Sequence, residues 1–300
     1  MPLKRKMDRI AVLPTKGIGD ALVFSIASHQ LCTAGCEATL FHNTLPELSS
    51  WFPGQDFQRV PKDLLTALSR FDTIIVENDN SPLIAKLRAA FPHLGIWYPT
   101  YSLAKHGPLS PRDQVFNPDL SMADNIALVL AKMLSKAPEK TNGIQPPVHL
   151  THRRDLQRVL IHPTSSVREK NWLPERFLAL AEKLGKHVMF CVSPQEREAW
   201  RWVEERGFAL PLLPTLADLA TLIYESHSVI GNDSLMGHLA SNLAIPSVII
   251  ADNPKRMQLW QPGWLPAQLV FPPFWATKSK KWQKSVSVRA AWKAYQNLLG

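Results

Sequence analysis

Short apolar runs alternate along this chain with amphipathic stretches of helical length, and this alternation constrains the fold more than any other feature. The pattern is typical of α/β proteins with parallel sheets, in which strands are buried on both faces. The predicted strands are residues 9–14, 38–42, 73–77, 95–97, 158–162, 187–192, 228–230 and 247–250. The predicted helices are residues 20–34, 124–134, 174–184, 195–205, 216–225, 235–243 and 286–299.

The alternation is interrupted at residues 137–154, where the sequence APEKTNGIQPPVHLTHRR is polar, contains proline and has no periodicity. We predict a linker there. The predicted fold class is therefore α/β, with two facing Rossmann-like domains and a crevice between them. The predicted boundaries are residues 1–145 and 155–285 for the two domains and 286–300 for a terminal helix.

Composition excludes several classes of protein. A hydrophobic content of 45% indicates a globular chain. Cys32, Cys36 and Cys191 supply neither a disulfide framework nor a paired metal-ligand motif, which favours a reducing cytoplasm. The apolar stretch after the basic start is too short for a signal peptide, and no run of about 20 apolar residues follows. We expect a cytoplasmic protein whose contact with a membrane would be peripheral.

Positive charge is concentrated near the C-terminus. The chain has a formal net charge of +9, yet residues 1–252 carry 26 basic and 25 acidic side chains. The tail beyond Asp252 has eight Lys and Arg residues, no acidic residue and five of the ten tryptophans. Basic, aromatic segments bind single-stranded nucleic acid or anionic membranes. Because the body is nearly neutral, we expect no nucleic-acid partner.

The first motif with chemical content is Lys16-Gly17-Ile18-Gly19-Asp20, between a predicted strand and a predicted helix. Glycines let the backbone approach a ligand, and Asp20 could act as a general base at the end of the strand. The alternative is that Asp20 simply caps the helix. The third glycine of a dinucleotide fingerprint is replaced by Leu22, which disfavours a dehydrogenase.

The second motif is residues 162–172, HPTSSVREKNW, after the first strand of the second half. Its hydroxyl groups (Thr164, Ser165 and Ser166) and the Lys170 ammonium suit a phosphate-bearing ligand. The alternative is an ordinary solvated polar loop.

The third motif is residues 231–240, GNDSLMGHLA, again at a strand-to-helix turn. Asp233 and Ser234 stand at the predicted helix start, where free N–H groups bind anions, and His238 follows one turn later. The alternative is that His238 is a buried core residue whose ring nitrogens have hydrogen-bond partners and which binds no ligand. A further acidic pair, Glu77 and Asp79, resembles a metal motif, but oxygen-ligand sites need more converging groups, so no metal site is predicted.

The chain resembles glycosyltransferase family 9, the lipopolysaccharide heptosyltransferase family. The segments that carry the resemblance are GIGDALVFSIASHQL, FDTIIVEN, MADNIALVLAKML, VLIHPTSSVREKNWLPERFLALAEKL and VIGNDSLMGHLASNLAIPSVII. The resemblance implies a GT-B fold with an acceptor-binding N-terminal domain and a nucleotide-sugar-binding C-terminal domain. It also implies inverting transfer without a metal and without a cofactor.

The resemblance implies a role for individual residues. Asp20 would deprotonate the acceptor hydroxyl, beside an acceptor-side loop that contains Lys16, Gly17 and Gly19. Lys170 would contact the donor phosphates, and Glu196 or Glu198 would hold the nucleotide ribose. The remaining implied donor-binding residues are Thr164, Ser165, Ser166, Asp233, Ser234, Met236, Gly237 and His238.

The expected function is transfer of a sugar from a nucleoside-diphosphate sugar to a lipopolysaccharide-core-type glycolipid. Heptose is one candidate for the sugar and ADP-heptose one candidate donor. The chain departs from the family at Leu235, where the family has glycine. A catalytically altered glycosyltransferase-like binding protein is therefore the alternative.

The resemblance also bears on the basic tail. In GT-B relatives the terminal helix often crosses back to the acceptor domain, and the tryptophans would simply pack it there. The alternative is that the tail lysines and Trp282 meet an anionic glycolipid surface at the inner face of the cytoplasmic membrane. The tail lysines in question are Lys278, Lys280, Lys281 and Lys284.

Overall fold

The computed structural model describes residues 8–277 and 282–299. They form two compact units, of which the first ends at Gln145 and the second begins at Pro146. The boundary falls within the segment predicted as a linker. Lys278, Lys280 and Lys281, which we expected to face a glycolipid surface, lie outside the described residues.

A six-stranded parallel sheet with the order β3-β2-β1-β4-β5-β6 forms the centre of the first unit. Its strands are β1 (Arg9–Leu13), β2 (Glu37–Phe41), β3 (Asp56–Gln58), β4 (Thr73–Glu77), β5 (Leu94–Tyr98) and β6 (Gln114–Val115). β1 pairs with β2 on one side and with β4 on the other. The carboxyl ends of β1 and β4 therefore lie side by side, at the switch point where α/β sheets bind ligands.

Five α-helices and one 3-10 helix surround this sheet. They are α1 (Ile18–Thr33), the 3-10 helix (Leu45–Trp51), α2 (Leu64–Leu68), α3 (Pro82–Ala90), α4 (Leu103–His106) and α5 (Met122–Leu134). α1 packs against α5 and is buried along almost its whole length, as an apolar helix in a core must be. Ser121 is the N-cap residue of α5, and its hydroxyl accepts a hydrogen bond from the Asp124 N–H at 3.1 Å.

Residues 142–145, which belong to the predicted linker, are held against the first unit by hydrogen bonds. Gln55 Nε2 donates to the Asn142 carbonyl at 2.7 Å, and the buried Asn142 amide donates to Ser25 Oγ at 3.0 Å. The Gln145 N–H donates to the Trp51 carbonyl at 2.7 Å. The polar sequence that suggests a linker therefore folds against the first unit up to the boundary, because its polar groups find partners there.

A five-stranded parallel sheet with the order β11-β10-β9-β7-β8 forms the centre of the second unit. Its strands are β7 (Asp155–His162), β8 (Val188–Phe190), β9 (Ser226–Asn232), β10 (Ser247–Ile250) and β11 (Gln268–Val270). β7 and β9 are neighbours, and His162 is paired with Gly231. A Cβ atom at Gly231 would lie 2.9 Å from the His162 carbonyl oxygen, so glycine allows this close approach at the site edge.

Eight α-helices and two short 3-10 helices lie in the described part of the second unit. The α-helices are α6 (Pro174–Leu184), α7 (Arg197–Trp200), α8 (Trp202–Glu205), α9 (Leu216–Tyr224), α10 (Leu235–Asn242), α11 (Pro254–Trp260), α12 (Trp282–Ser285) and α13 (Val288–Leu299). The 3-10 helices are Arg168–Lys170 and Phe274–Ala276. No helix in the described part of the chain is both long and apolar enough to cross a membrane.

The terminal helix α13 packs on β10, β11 and α6, all within the second unit. Ala291, Ala294 and Tyr295 on its apolar face belong to the core of that unit. We expected this helix as a candidate for crossing back to the first domain. That crossing stays a prediction. The structure groups α13 with the second unit, where its apolar face packs into a core that also contains residues of β10 and β11.

Candidate functional site

Asp20 lies in the first turn of α1, at the carboxyl end of β1. Its Oδ2 accepts a hydrogen bond from the Thr15 hydroxyl at 2.5 Å. The residue at the helix N-cap is Gly17, and no side chain caps this helix. The alternative in which Asp20 caps the helix is therefore wrong, because Asp20 lies inside the helix. A half-buried carboxylate held in this way can accept a proton from a hydroxyl group.

Gly17 makes room for this carboxylate. A Cβ atom added at position 17 would collide with the Asp20 Oδ2 atom. The other two residues of the predicted acceptor-side loop lie beside it: Lys16 is exposed, and Gly19 is the second residue of α1. The structure therefore brings all four motif residues to one edge of the first sheet.

Two buried side chains from neighbouring strands support the loop. Glu77 ends β4, and its Oε2 accepts a hydrogen bond from the Thr15 N–H at 2.9 Å. His42 follows β2 and donates through Nε2 to the Lys16 carbonyl at 3.1 Å, since its Nδ1 accepts from the backbone N–H of Leu45. Burial lowers the pKa of His42, which favours this neutral tautomer.

Glu77 has a strongly perturbed acidity. Burial, and after it the nearby charge of Asp20, raise the pKa of Glu77 well above its usual range. Asp79, the other acid of the pair that resembles a metal motif, is exposed. Within residues 8–277 and 282–299, no three His, Cys, Asp or Glu side chains lie close enough to hold a metal ion.

In the second unit, two cations meet at Asp233. Lys170 Nζ and Arg256 Nη2 each lie 2.9 Å from Asp233 Oδ2. Arg256 also lies 2.8 Å from Asp252. Asp233 is only 7% exposed, whereas both cations retain about 30% exposure. We call these four side chains the Asp233 cluster.

The Asp233 cluster is assembled from three strand ends. Lys170 follows β7, Asp233 follows β9, and Arg256 lies in α11 after β10. Asn253 accepts hydrogen bonds from the N–H groups of Lys255 and Arg256 and so fixes the start of α11. Arg256 is not among the predicted site residues, although Asn253 and Pro254, which precede Lys255 and Arg256, form a helix-start signal.

Glu196 lies beside the loop that follows β7, residues 162–172. Its Oε2 accepts hydrogen bonds from Thr164 Oγ1 at 3.1 Å and from Ser193 Oγ at 2.7 Å. Glu198, the other acid considered for the nucleotide ribose, is exposed and pairs with Arg201 at 3.8 Å. Glu196, unlike Glu198, therefore belongs to the hydrogen-bonded loop, and the role of either acid toward the ribose stays a prediction.

The loop itself is fixed by Asn232, which the sequence analysis also missed. Its side chain is fully buried, accepts from the Trp172 N–H at 2.9 Å and donates to the Pro163 carbonyl at 2.7 Å. Ser165 donates to the Asn171 side chain at 2.6 Å. Ser166 is exposed. The loop is therefore ordered rather than merely solvated.

The start of α10 places the remaining predicted residues. Ser234 is the N-cap residue, yet its buried hydroxyl makes no hydrogen bond to the described residues. Met236 and His238 are buried. A Cβ atom at Gly237 would lie 2.6 Å from Ile249, so Gly237 serves close packing of α10 on the sheet.

Trp282 forms a hydrogen bond to the loop that carries Lys170. It is 5% exposed, lies in the core of the second unit and donates from its indole N–H to the Glu169 carbonyl at 3.0 Å. The expectation that Trp282 meets a glycolipid surface is therefore wrong. Its ring fills the core and its N–H satisfies the backbone beside Lys170.

Solved structures share this fold over nearly the whole chain. A family 9 glycosyltransferase from Veillonella parvula DSM 2008 is 18% identical, with a TM-score of 0.70 over 100% of this chain and 99% of that one. The E. coli ADP-heptose lps heptosyltransferase II is also 18% identical, with a TM-score of 0.70 over 97% and 98%. The E. coli heptosyltransferase WaaC with ADP is 14% identical, with a TM-score of 0.67 over 97% and 99%. The chain therefore has the two-domain parallel α/β fold of GT-B type, as predicted.

The family follows from the sequence comparison. The profile described as glycosyltransferase family 9 (heptosyltransferase) matches residues 125–284, which is more than half of the chain. No curated protein matches the sequence. This protein belongs to glycosyltransferase family 9, and it is a glycosyltransferase.

Proposed function

We propose that this enzyme transfers a sugar, with inversion and without a metal, from a nucleoside-diphosphate sugar to a lipopolysaccharide-core-type glycolipid. Heptose is the leading candidate for the sugar and ADP-heptose for the donor, because solved structures with this fold include heptosyltransferases. The observation that carries the proposal is the Asp233 cluster, where Lys170 and Arg256 converge beside the start of α10. We propose no cofactor.

The Asp233 cluster supports the donor half of the reaction. When the bond between the anomeric carbon and the diphosphate breaks, the electron pair leaves with the diphosphate. Lys170, Arg256 and the free N–H groups of α10 would stabilise that charge. Asp233 holds both cations in place, which reduces the reorganisation needed when the donor binds. Glu196 is the residue assigned to the ribose hydroxyls.

Asp20 supports the acceptor half. It would take the proton from the acceptor hydroxyl as that oxygen attacks the anomeric carbon. The attack from the face opposite the diphosphate inverts the configuration. Thr15 restricts the orientation of the carboxylate through the 2.5 Å hydrogen bond, so the base is oriented before the acceptor arrives.

Donor binding is tested by calorimetry with ADP-heptose. We expect Lys170→Ala and Arg256→Ala each to weaken binding by about tenfold to a hundredfold, because each removes a charge-assisted contact worth about 1.5–3 kcal/mol. Lys183→Ala removes an exposed cation from α6 and is the matched control, with unchanged affinity. Equal affinity in all three variants would remove the Asp233 cluster from the donor site.

The base is tested with Asp20→Asn, which keeps the shape of the side chain. We expect unchanged donor affinity and a loss of turnover of about 10²–10⁴-fold, the usual contribution of a general base. The measurement is ADP release from ADP-heptose in the presence of a heptose-deficient lipopolysaccharide core. Turnover near that of the wild type would contradict the assignment.

The alternative, an altered binding protein, rests on Leu235, which is half-buried at the start of α10. If the wild type binds no nucleoside diphosphate sugar but Leu235→Gly does, the leucine side chain blocks the donor. If the wild type binds the donor and Leu235→Gly binds it no more tightly, the departure from the family is harmless.

We place the reaction at the inner face of the cytoplasmic membrane, because an acceptor of this class is a membrane glycolipid. Two exposed aromatic residues support this: Phe274 and Trp275 are 94% and 78% exposed in the 3-10 helix just before the tail lysines. Aromatic side chains beside cations are the usual means of peripheral attachment to anionic bilayers.

A further inference from the structure

Glu77 is a buried acid that the reaction described above does not use. It is 2% exposed, and its Oε2 accepts the Thr15 N–H at 2.9 Å. Its Oε1 is buried and has no hydrogen-bond partner among the described residues. A buried carboxylate with one oxygen unpaired is costly, whereas a neutral carboxyl group costs far less.

A short chain of hydrogen bonds connects Glu77 to Asp20. The Thr15 N–H donates to Glu77, and the Thr15 hydroxyl donates to Asp20 at 2.5 Å. Thr15, in the connection between β1 and α1, thus bridges the carboxyl group of Glu77 at the end of β4 and that of Asp20 in the first turn of α1. One residue determines both contacts, so a change in the position of Thr15 would also reorient the Asp20 carboxylate.

The surrounding charges favour a proton on Glu77. The negative charges of Asp20 on α1 and of Asp79 after β4 both raise its pKa, in addition to burial. The Thr15 N–H acts in the opposite direction but ranks below burial and Asp20. His42, after β2, is also influenced by Asp20, and burial keeps its pKa low, so it supplies no compensating positive charge. Of the two carboxyl groups bridged by Thr15, Glu77 is the more deeply buried, so a negative charge on Glu77 is the more costly of the two.

We propose that Glu77 is a positioning residue for sugar transfer, which keeps its proton while Asp20 is ionised and holds Thr15 where its hydroxyl orients the Asp20 carboxylate. This inference rests on the proposed role of Asp20 as the base. The protonation of Glu77 can nevertheless be tested without any turnover.

The first test is the pH dependence of stability in Glu77→Gln. In the unfolded chain Glu77 loses its proton near its ordinary value of 4.5, whereas the folded protein retains it. Rising pH therefore favours unfolding of the wild type, whose unfolding constant increases by up to about tenfold per pH unit. The variant lacks this ionisation, so its unfolding constant does not increase for this reason. We expect the advantage of Glu77→Gln in urea unfolding to grow from pH 4.5 upward and to level off once folded Glu77 ionises.

Glu182→Gln is the matched control, because Glu182 is exposed on α6. The difference in the free energy of unfolding between Glu182→Gln and the wild type should not vary with pH. A difference for Glu77→Gln that is equally constant would overturn the proposal. If Glu77→Gln does not fold, infrared spectra of the wild type over the same pH range report a protonated buried carboxyl directly.

The second test separates positioning from mere stability. We expect Glu77→Ala to lower kcat about tenfold or more with little change in KM, and Glu77→Gln to restore most of it, because a neutral amide oxygen can still accept from Thr15. Thr15→Val should move the acidic limb of the kcat/KM profile to higher pH, since the charged form of the base loses a hydrogen bond, and Thr15→Ser should restore it.

The outcomes distinguish this inference from the proposed function. If Asp20→Asn remains active, the base assignment fails, whatever Glu77 does. If Asp20→Asn is inactive but Glu77→Gln has a kcat as low as that of Glu77→Ala, Asp20 keeps its role and the proposal for Glu77 is overturned.

Discussion

At the scale of single residues, Gly17 shows how tightly the Asp20 site is built. A methyl group at position 17 would collide with the Asp20 carboxylate, while the backbone itself has an ordinary φ of −70°. The requirement for glycine is therefore one of space and not of backbone conformation. The carboxylate would have to move by a rotation about its own side-chain bonds, which breaks its contact with Thr15.

We expect Gly17→Ala to lower turnover by about a hundredfold, the usual effect of displacing a catalytic group by about 1 Å. Donor affinity should be unchanged, because the residues assigned to the donor belong to the second unit. The measurement pairs single-turnover kinetics with calorimetry. Normal turnover would mean that the carboxylate has another productive position.

The site residues that the sequence could single out lie in strand-to-helix connections or in the first helical turn after them. Asp20, Lys170 and Asp233 belong to this group, because such a connection can be recognised locally, and their roles stay predictions. Arg256 and the partnership of Thr15 with Glu77 could not be predicted in this way. They depend on β10 lying beside β9 and on β4 lying beside β1, and these adjacencies are properties of the sheet order.

At the scale of elements, the 3-10 helix Arg168–Lys170 is held by the C-terminal segment. The Glu169 carbonyl accepts from the Trp282 indole at 3.0 Å and from the Gln283 side chain at 3.1 Å. The Trp172 indole donates to the Val286 carbonyl at 3.1 Å. A segment more than a hundred residues away in sequence thus fixes the loop that carries Lys170.

We expect Trp282→Phe to lower the free energy of unfolding by about 1–3 kcal/mol, because it removes the indole hydrogen bond to the Glu169 carbonyl and leaves part of the buried space of the indole unfilled. It should also weaken donor affinity several-fold by loosening the Lys170 loop. Trp275→Phe is the matched control, since Trp275 is exposed, and it should change neither quantity. Urea unfolding and calorimetry provide the two measurements. Identical behaviour of the two variants would show that the hydrogen bond to Glu169 is unimportant.

The buried central strands were predicted well, but three of the four edge strands in the described sheets were not. β1, β4 and β10 are buried on both faces and read as apolar runs. The edge strands β3, β6 and β11 have only two or three residues, too few to create a pattern. The helix predicted at residues 195–205 is divided into α7 and α8, which meet at Arg201.

At the scale of the whole molecule, the C-terminal tail contains both most of the net positive charge and two exposed aromatic side chains. Residues after Asp252 contribute eight of the nine net positive charges. Trp282 is buried in the second unit, but Phe274 and Trp275 are exposed. The attachment surface that we expect is therefore formed by this aromatic pair and the tail lysines, without Trp282.

We expect the protein to bind vesicles that contain anionic lipid, and to bind them less as salt increases. Each lysine near an anionic surface contributes about 1 kcal/mol, and the two aromatic side chains add a smaller, salt-independent part. Reversal of Lys278, Lys280 and Lys281 to Glu should therefore abolish most of the binding. Phe274→Ser combined with Trp275→Ser should weaken binding equally at low and high salt.

The matched control reverses three exposed cations of the first unit, Arg59, Lys62 and Lys86, which gives the same change in net charge. Co-sedimentation with phosphatidylglycerol vesicles and with neutral phosphatidylcholine vesicles is the measurement. If both sets of reversals weaken binding equally, net charge alone is responsible and the tail has no special role. If the tail reversal alone abolishes binding, the asymmetric charge of this chain directs the C-terminal end toward the membrane that holds its proposed acceptor.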